Sequence, residues 1–266
     1  MKQQHILIFR ISTLICLLLF CVSGHSQNDS IVSTANDSTK IKLKYGLRLG
    51  GDIGKLARSF FDDDYSGFEI MADYRLKEKM YLAAELGFEE KNTINDYLDV
   101  TTTGSYIKGG VDFNMYENWL DMDNMIYTGF RVGASTFSHD LNKFTVYSID
   151  QYWAPQYTSE ENQEFKGLTA IWAEIILGMK AELFNNFYIG LNLQLKALVT
   201  ETVPDNFENV YIPGFGKTYD SSRIGTSYSY FLAYRIPLFK KVKQSKTTEF
   251  TKPEKDSRPP PPRDRP

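Results

Sequence analysis

The chain has 266 residues, 42% apolar and 24% charged, which suits one domain of ordinary size with flexible ends. Its formal net charge of -3 argues against nucleic-acid binding, which needs a clearly basic face. Tyr (17) and Phe (18) are plentiful and helix-forming Ala and Leu runs are scarce, a balance that leans toward strands.

The first segment reads as a secretory signal. Lys2 and Arg10 form a positive start, Ile11 to Val22 an apolar run of signal length, and Ser23, Gly24 and Ser26 supply small residues for cleavage near Gln27. No segment approaches the roughly 20 apolar residues of a membrane-spanning helix. Cys16 and Cys21 both lie in the signal. Cys21 follows Phe20, where lipoprotein processing wants a small residue, so ordinary cleavage is the expectation. The mature part would then enter an oxidising compartment with no cysteine to pair. Residues 28–40 form a polar linker, 41–241 the folded domain, and 242–266 a Pro-rich tail that cannot bury a core and is expected to be disordered.

Between linker and tail the sequence shows no helical period, only period two. In Leu43–Asp52, Leu43, Tyr45, Leu47 and Leu49 alternate with Lys44, Gly46, Arg48 and Gly50. The same split of apolar from polar or glycine positions recurs in Phe68–Leu76, Met80–Glu89, Tyr106–Tyr116, Ile126–Phe137, Leu168–Leu183, Phe187–Val199 and Arg223–Pro237. The connections alternate as well. Lys77–Lys79, Glu117–Asn124 and Asn185–Asn186 are short, whereas Ile53–Gly67, Glu90–Ser105, Ser138–Gly167 and Glu201–Ser222 are long. The expected fold is therefore all-β: an eight-stranded antiparallel up-and-down transmembrane β-barrel with short periplasmic turns and long extracellular loops.

Alternation alone also fits a soluble periplasmic, lipocalin-like binding barrel with an apolar cavity. Three features favour the membrane. No Asp, Glu, Lys or Arg falls on the apolar face of any segment, and a mid-bilayer Arg or Lys costs about 2–4 kcal/mol even in barrels. The polar face is rich in glycine, including Gly46, Gly87, Gly110, Gly133, Gly178 and Gly190, which makes room for long charged side chains in a narrow bore. Tyr45, Tyr74, Tyr228, Tyr230 and Tyr234 sit on the apolar face as an interfacial girdle requires.

The segments Phe61-Asp-Asp-Asp-Tyr, Asp73-Tyr-Arg-Leu, Tyr81-Leu-Ala-Ala-Glu-Leu-Gly, Gly104-Ser-Tyr-Ile-Lys, Asn114-Met-Tyr-Glu-Asn-Trp and Tyr211-Ile-Pro-Gly-Phe resemble a Bacteroidota family of unknown function. Its members are secreted and predicted to be outer-membrane barrels. The resemblance covers about residues 41–241 and implies compartment and fold but no mechanism. A looser similarity links the chain to barrels described as gliding or secretion accessory proteins.

The inward face should carry Arg48, Glu69, Asp73, Arg75, Glu85, Lys108, Asp112, Arg131, Glu174, Lys180, Glu182, Lys196 and Arg235, together with Lys44, Asp52, Glu89 and Arg223. An eight-stranded barrel is just wide enough for side chains to fill, so these charges are expected to interlock as ion pairs. The alternative is a small-solute or proton pathway. No catalytic, cofactor or metal motif stands out. His139, in Ser138-His139-Asp140, raises a lipid-modifying hydrolase as a rival, although neighbouring residues on a strand face opposite ways. Asp62, Asp63 and Asp64 could gather Ca²⁺ with Asp96 and Asp99, or stand as solvated surface acids. The loop bearing Phe144, Tyr147, Tyr152, Trp153 and Tyr157 is a candidate for contact with an envelope protein, as is the Pro-rich tail. The expected setting is the outer membrane of a Gram-negative bacterium, with the bilayer and lipopolysaccharide as partners and no nucleic acid. The expected role is a non-enzymatic structural or interaction component of the envelope.

Overall fold

The computed structural model describes residues 42–116, 123–146, 157–205, 207–219 and 222–242. Long, period-two stretches of β-branched and aromatic residues build strands β1 (Lys42–Asp52), β2 (Tyr65–Arg75), β3 (Met80–Ile94), β4 (Leu98–Asn114), β5 (Met125–Val146), β6 (Tyr157–Ser159), β7 (Gln163–Phe184), β8 (Phe187–Glu201), β9 (Tyr211–Ile212), β10 (Gly216–Lys217) and β11 (Ile224–Val242), with helix α1 (Ile53–Phe61) after β1. Among the described residues, eight of these strands close a ring. Each pairs antiparallel with its neighbour in the order β1-β2-β3-β4-β5-β7-β8-β11, and β11 returns to β1. Closure leaves this sheet without a free edge over the paired length. The expected eight-stranded up-and-down barrel is the observed architecture.

Side-chain placement is inverted relative to a water-soluble domain. Outward positions are apolar and exposed: Leu193 and Ile107 at 59%, Ile175 and Leu86 at 55%. Inward positions hold buried charge, with Asp112 at 0% and Lys108 and Glu174 at 1%. A soluble monomer rarely exposes contiguous apolar patches beyond a few hundred Å². Here the apolar band runs around the whole ring, from Phe68 and Ile70 through Phe130 and Val132 to Tyr230 and Tyr234.

Several strands climb past this band, and there the alternation changes phase. On β5, the outward residues Ile126, Phe130, Val132 and Ala134 give way to Thr136, Ser138 and Asp140, while Phe137 and Leu141 turn inward and are buried. The facing part of β4 does the same, with Val100 fully buried between Thr101 and Asp99. In this upper part the outward positions are polar and apolar side chains are buried inside.

Five expectations change. Residues 90–105 are not a long loop, because β3 and β4 continue in register to Ile94 opposite Asp99 and turn tightly there. The stretch 138–167 is likewise shortened, since β5 and β7 pair up to Leu141 opposite Gln163. Residues 53–67 hold a nine-residue helix where no helical period was expected. Asp52 nucleates it as N-cap, its Oδ1 accepting from the backbone N–H groups of Gly54 (2.7 Å) and Lys55 (3.1 Å). Finally, β11 does not end near Pro237. It runs on to Val242, and Pro237 faces Gly46 beside a β-bulge, where a missing ladder donor is tolerated. At the same bulge Tyr45 is buried and stacks on Phe239 at 4.9 Å, so it leaves the exposed girdle in which it was placed.

The signal segment, the linker, the Pro-rich tail and the aromatic residues Tyr147, Tyr152 and Trp153 lie outside the described residues.

Candidate functional site

Alternation along the ring delivers the charged side chains to the lumen, and three tiers result. At the short-turn end, Arg75 meets Asp123 at 2.6 Å, Arg235 bridges Asp123 and Glu182 (3.2 Å to the latter), and Lys44 reaches Glu182 at 3.0 Å. Tyr81 and Tyr188 close this tier, Tyr81 accepting from Arg75 and Tyr188 donating to Asp123. In the middle tier, Arg48 contacts Asp73 at 2.6 Å and Lys180 contacts the same carboxylate at 2.8 Å. Lys180 and Arg131 share Asp112, at 3.6 and 2.8 Å. Arg131 passes to Glu85 at 3.5 Å, which pairs with Lys108 at 3.0 Å. In the upper tier Lys108 also faces Glu69 (3.3 Å) and Glu174 (3.8 Å), and Lys196 faces Glu174 at 3.7 Å. Lys55 from α1 completes the tier, bridging Glu69 at 2.9 Å and Glu89 at 2.7 Å.

From Arg48 to Lys55 and Lys196 this is one unbroken chain of alternating sign. Among the described residues it joins six cations to six anions. Burying one ion costs several kcal/mol, and such a bore is stable only if nearly every charge finds an opposite partner. Of the residues expected on the inward face, Asp52 caps α1 instead, and all the others but one take part. Arg223 does not: it precedes β11 and is exposed at the rim. Lys55 and Asp123 are added, both from outside the eight expected strands.

Aromatic rings fill the space between the charges, and four glycines make room for them. Gly87 pairs across the sheet with Tyr106, Gly133 with Trp172, Gly178 with Tyr127 and Gly190 with Phe231. A Cβ at any of these four would lie 2.2–2.5 Å from the facing ring. These four seat flat rings beside the ion pairs, whereas Gly129, where a Cβ would lie 2.4 Å from Asp112 Oδ1, makes room for a charged side chain as expected. Trp172 also donates to Glu174 at 2.6 Å, and Tyr106 to Glu69 at 2.6 Å.

The mouth is covered from within. The segment between β8 and β11 dips into the barrel as a type II turn, with Pro213 then Gly214 at φ +81 and Phe215 N–H returning to Ile212 at 3.0 Å. Ile212 and Phe215 pack with Tyr106, Phe137, Leu168, Trp172 and Leu198. Two charges clamp the turn from opposite sides. Glu89 accepts from Gly214 N–H at 2.9 Å and from the Tyr211 hydroxyl at 2.8 Å, while Lys196 donates to the Gly214 carbonyl at 2.6 Å. Beside the turn lies an open cavity of about 1210 Å³, lined by Asp52, Lys55, Glu89, Lys196, Tyr211 and Ser229 among others.

His139 is fully buried above the band. Its Nδ1 is 2.8 Å from the Thr102 hydroxyl and its Nε2 is 3.0 Å from Asn209 Oδ1, with Phe137 and Phe207 edge-on to the ring. Among the described residues, no carboxylate is hydrogen-bonded to it, and Glu201 bonds the neighbouring Asn209 at 2.8 Å. This places a packing histidine where a hydrolase would need an accessible base. The acidic loop also resolves locally. Asp62 pairs with Arg58 at 3.0 Å and Lys91 at 3.7 Å, and the Arg58 hydrogen bond holds its carboxyl below the usual range. Asp99 accepts from Asn142 at 3.2 Å. Among the described residues, no three His, Cys, Asp or Glu side chains converge as a metal site. Of the aromatic loop, Phe144 lies 6.3 Å from Tyr157, which is exposed.

Curated proteins give no match to the chain. Among solved structures, the attachment invasion locus protein Ail of Yersinia pestis aligns at 11% identity and a TM-score of 0.39, covering 74% of this chain and 100% of that one. Residues 6–241 match a family described as a domain of unknown function (DUF6048), and the chain belongs to that family.

Proposed function

We propose that this protein is an outer-membrane barrel acting without catalysis, as a structural or interaction component of the envelope, with a lumen closed by ion pairs. One observation carries the reading: the exterior band is apolar and exposed while the interior is charged and buried. Water cannot stabilise such an inversion, and a lipid bilayer can. The expected signal segment supports export. The upper sheet of β4, β5 and β7, polar outside, is the surface offered to an envelope partner or to lipopolysaccharide headgroups. A hydrolase is disfavoured because both nitrogens of the buried His139 are already engaged.

The test is membrane assembly in a Gram-negative host. Leu193→Arg puts a charge into the exposed band and should cost about 2–4 kcal/mol, enough to deplete the barrel from the outer-membrane fraction. Thr136→Arg, outward but above the band, should assemble as a heat-modifiable barrel at normal levels. Equal recovery of both variants would overturn the reading.

A further inference from the structure

The ring is not equally tall all round. β1 stops at Asp52, opposite Phe231, whereas β11 continues upward and still presents Tyr230, Tyr228 and Ile224 outward. On the other side β2 pairs Ile70 with Gly51 and then also rises beyond β1. The wall therefore has a notch above β1, at the height of apolar band residues on β11. Helix α1 fills that notch, its first turn against the neighbouring strand: a Cβ on Gly54 would sit 3.5 Å from the Tyr230 ring.

At 100° per residue, Lys55 and Ser59 share one side of α1, and Ile53, Leu56, Ala57 and Phe60 share the other, with Phe61 at its margin. The polar side is fastened into the barrel. Lys55 reaches Glu69 and Glu89, and the Ser59 hydroxyl exchanges hydrogen bonds with the backbone of Gly67, donating at 3.1 Å and accepting at 2.8 Å. The apolar side faces away, with Leu56 44%, Phe60 82% and Phe61 75% exposed. Arg58 turns from that side toward Asp62 and the Tyr65 ring. The helix is thus inverted in the same sense as the strands beside it.

We propose that α1 is a lipid-contacting element whose Leu56 and Phe60 face carries the apolar band across the notch and enters the acyl region of the outer leaflet. This rests on the reading of the band as lipid-facing. The occupant follows from continuity: band residues flank the helix at its own height, and no charge lies on its outward face. Its basic Lys55 is committed to the lumen, so the anchoring is apolar contact from outside and ion pairing from inside.

Acyl-chain-brominated phosphatidylcholine vesicles test this with the full-length protein refolded into them. Phe60→Trp, Leu193→Trp and Thr136→Trp are compared with the unsubstituted chain, whose own tryptophan signal is subtracted. The Phe60→Trp indole should be quenched about half as strongly as the Leu193→Trp indole, as for an interfacial helix lying about 5–10 Å into the boundary region. Thr136→Trp should show little quenching. Strong quenching of Leu193→Trp with none of Phe60→Trp overturns this inference and leaves the barrel reading intact; a blue-shifted but unquenched Phe60→Trp emission would put protein, such as a second copy, on the helix instead. Absence of quenching from Leu193→Trp would remove the lipid-facing band itself.

Discussion

Lys108 shows what each charge in the bore must satisfy. It is 1% exposed and answers three carboxylates at once, Glu69, Glu85 and Glu174. Lys108→Met keeps the stem and removes the charge, leaving three acids crowded around an apolar tip. Breaking a buried pair by removing one partner typically costs about 3–5 kcal/mol. Urea unfolding of the refolded barrel should register a loss of that size. The exposed pair Lys143 and Glu160, 3.4 Å apart, offers the contrast, because Lys143→Met should cost no more than about 1 kcal/mol. Equal losses at both positions would mean the lumen charges are solvated instead of interlocked. Most of this network was legible because period two assigns a face to every strand residue. Lys55 and Asp123 escaped because they come from α1 and a turn, where period two has no meaning. Arg223 shows the opposite error: a residue just outside the strand ends at the rim, exposed.

The elements teach a related lesson. Strand existence was readable wherever one side meets an apolar exterior and the other a charged bore. Strand length was not, because the code reverses where the exterior turns polar. Ser138 and Asp140 outside, with Phe137 and Leu141 inside, look like the end of a pattern although the ladder continues. Helix α1 left a fainter trace, an N-cap Asp52 and apolar residues at positions 53, 56, 57 and 60, in a segment too short for periodicity to dominate. The turn at the mouth was visible only as the string Ile212-Pro-Gly-Phe; nothing local said that it folds inward. Its geometry makes a sharp prediction. Gly214 has φ +81, and a Cβ there would meet the Tyr106 ring at 2.5 Å. Gly214→Ala should push the turn out of the mouth, forfeiting the Glu89 and Lys196 clamps, and speed tryptic cleavage after the exposed Lys217 several-fold. Gly216→Ala also has positive φ but meets open space, and should be milder. If both variants resist trypsin like the parent, the turn is not held by that fit.

At the scale of the whole molecule, two layers of closure lie in series: the clamped turn at the mouth and the ion-pair chain below it. Removing the first would not open the second. An eight-stranded ring leaves a bore that side chains can fill, and here Tyr81, Tyr127, Trp172, Tyr188 and Phe231 occupy what the charges leave. A permeating cation would have to displace Lys108, Arg131 or Lys180 from its carboxylates, and an anion would have to displace the carboxylates themselves. Neither ion is offered a row of like-sign sites through which conduction could be relayed. The purified barrel in planar bilayers should therefore show no stable conductance steps, only brief leak. Gly214→Ala should leave that silence unchanged, since the middle tier remains. Stable steps in the parent protein, with an ion selectivity that shifts on Arg131→Ala, would mean that the alternating chain opens under voltage and that this bore is a pathway.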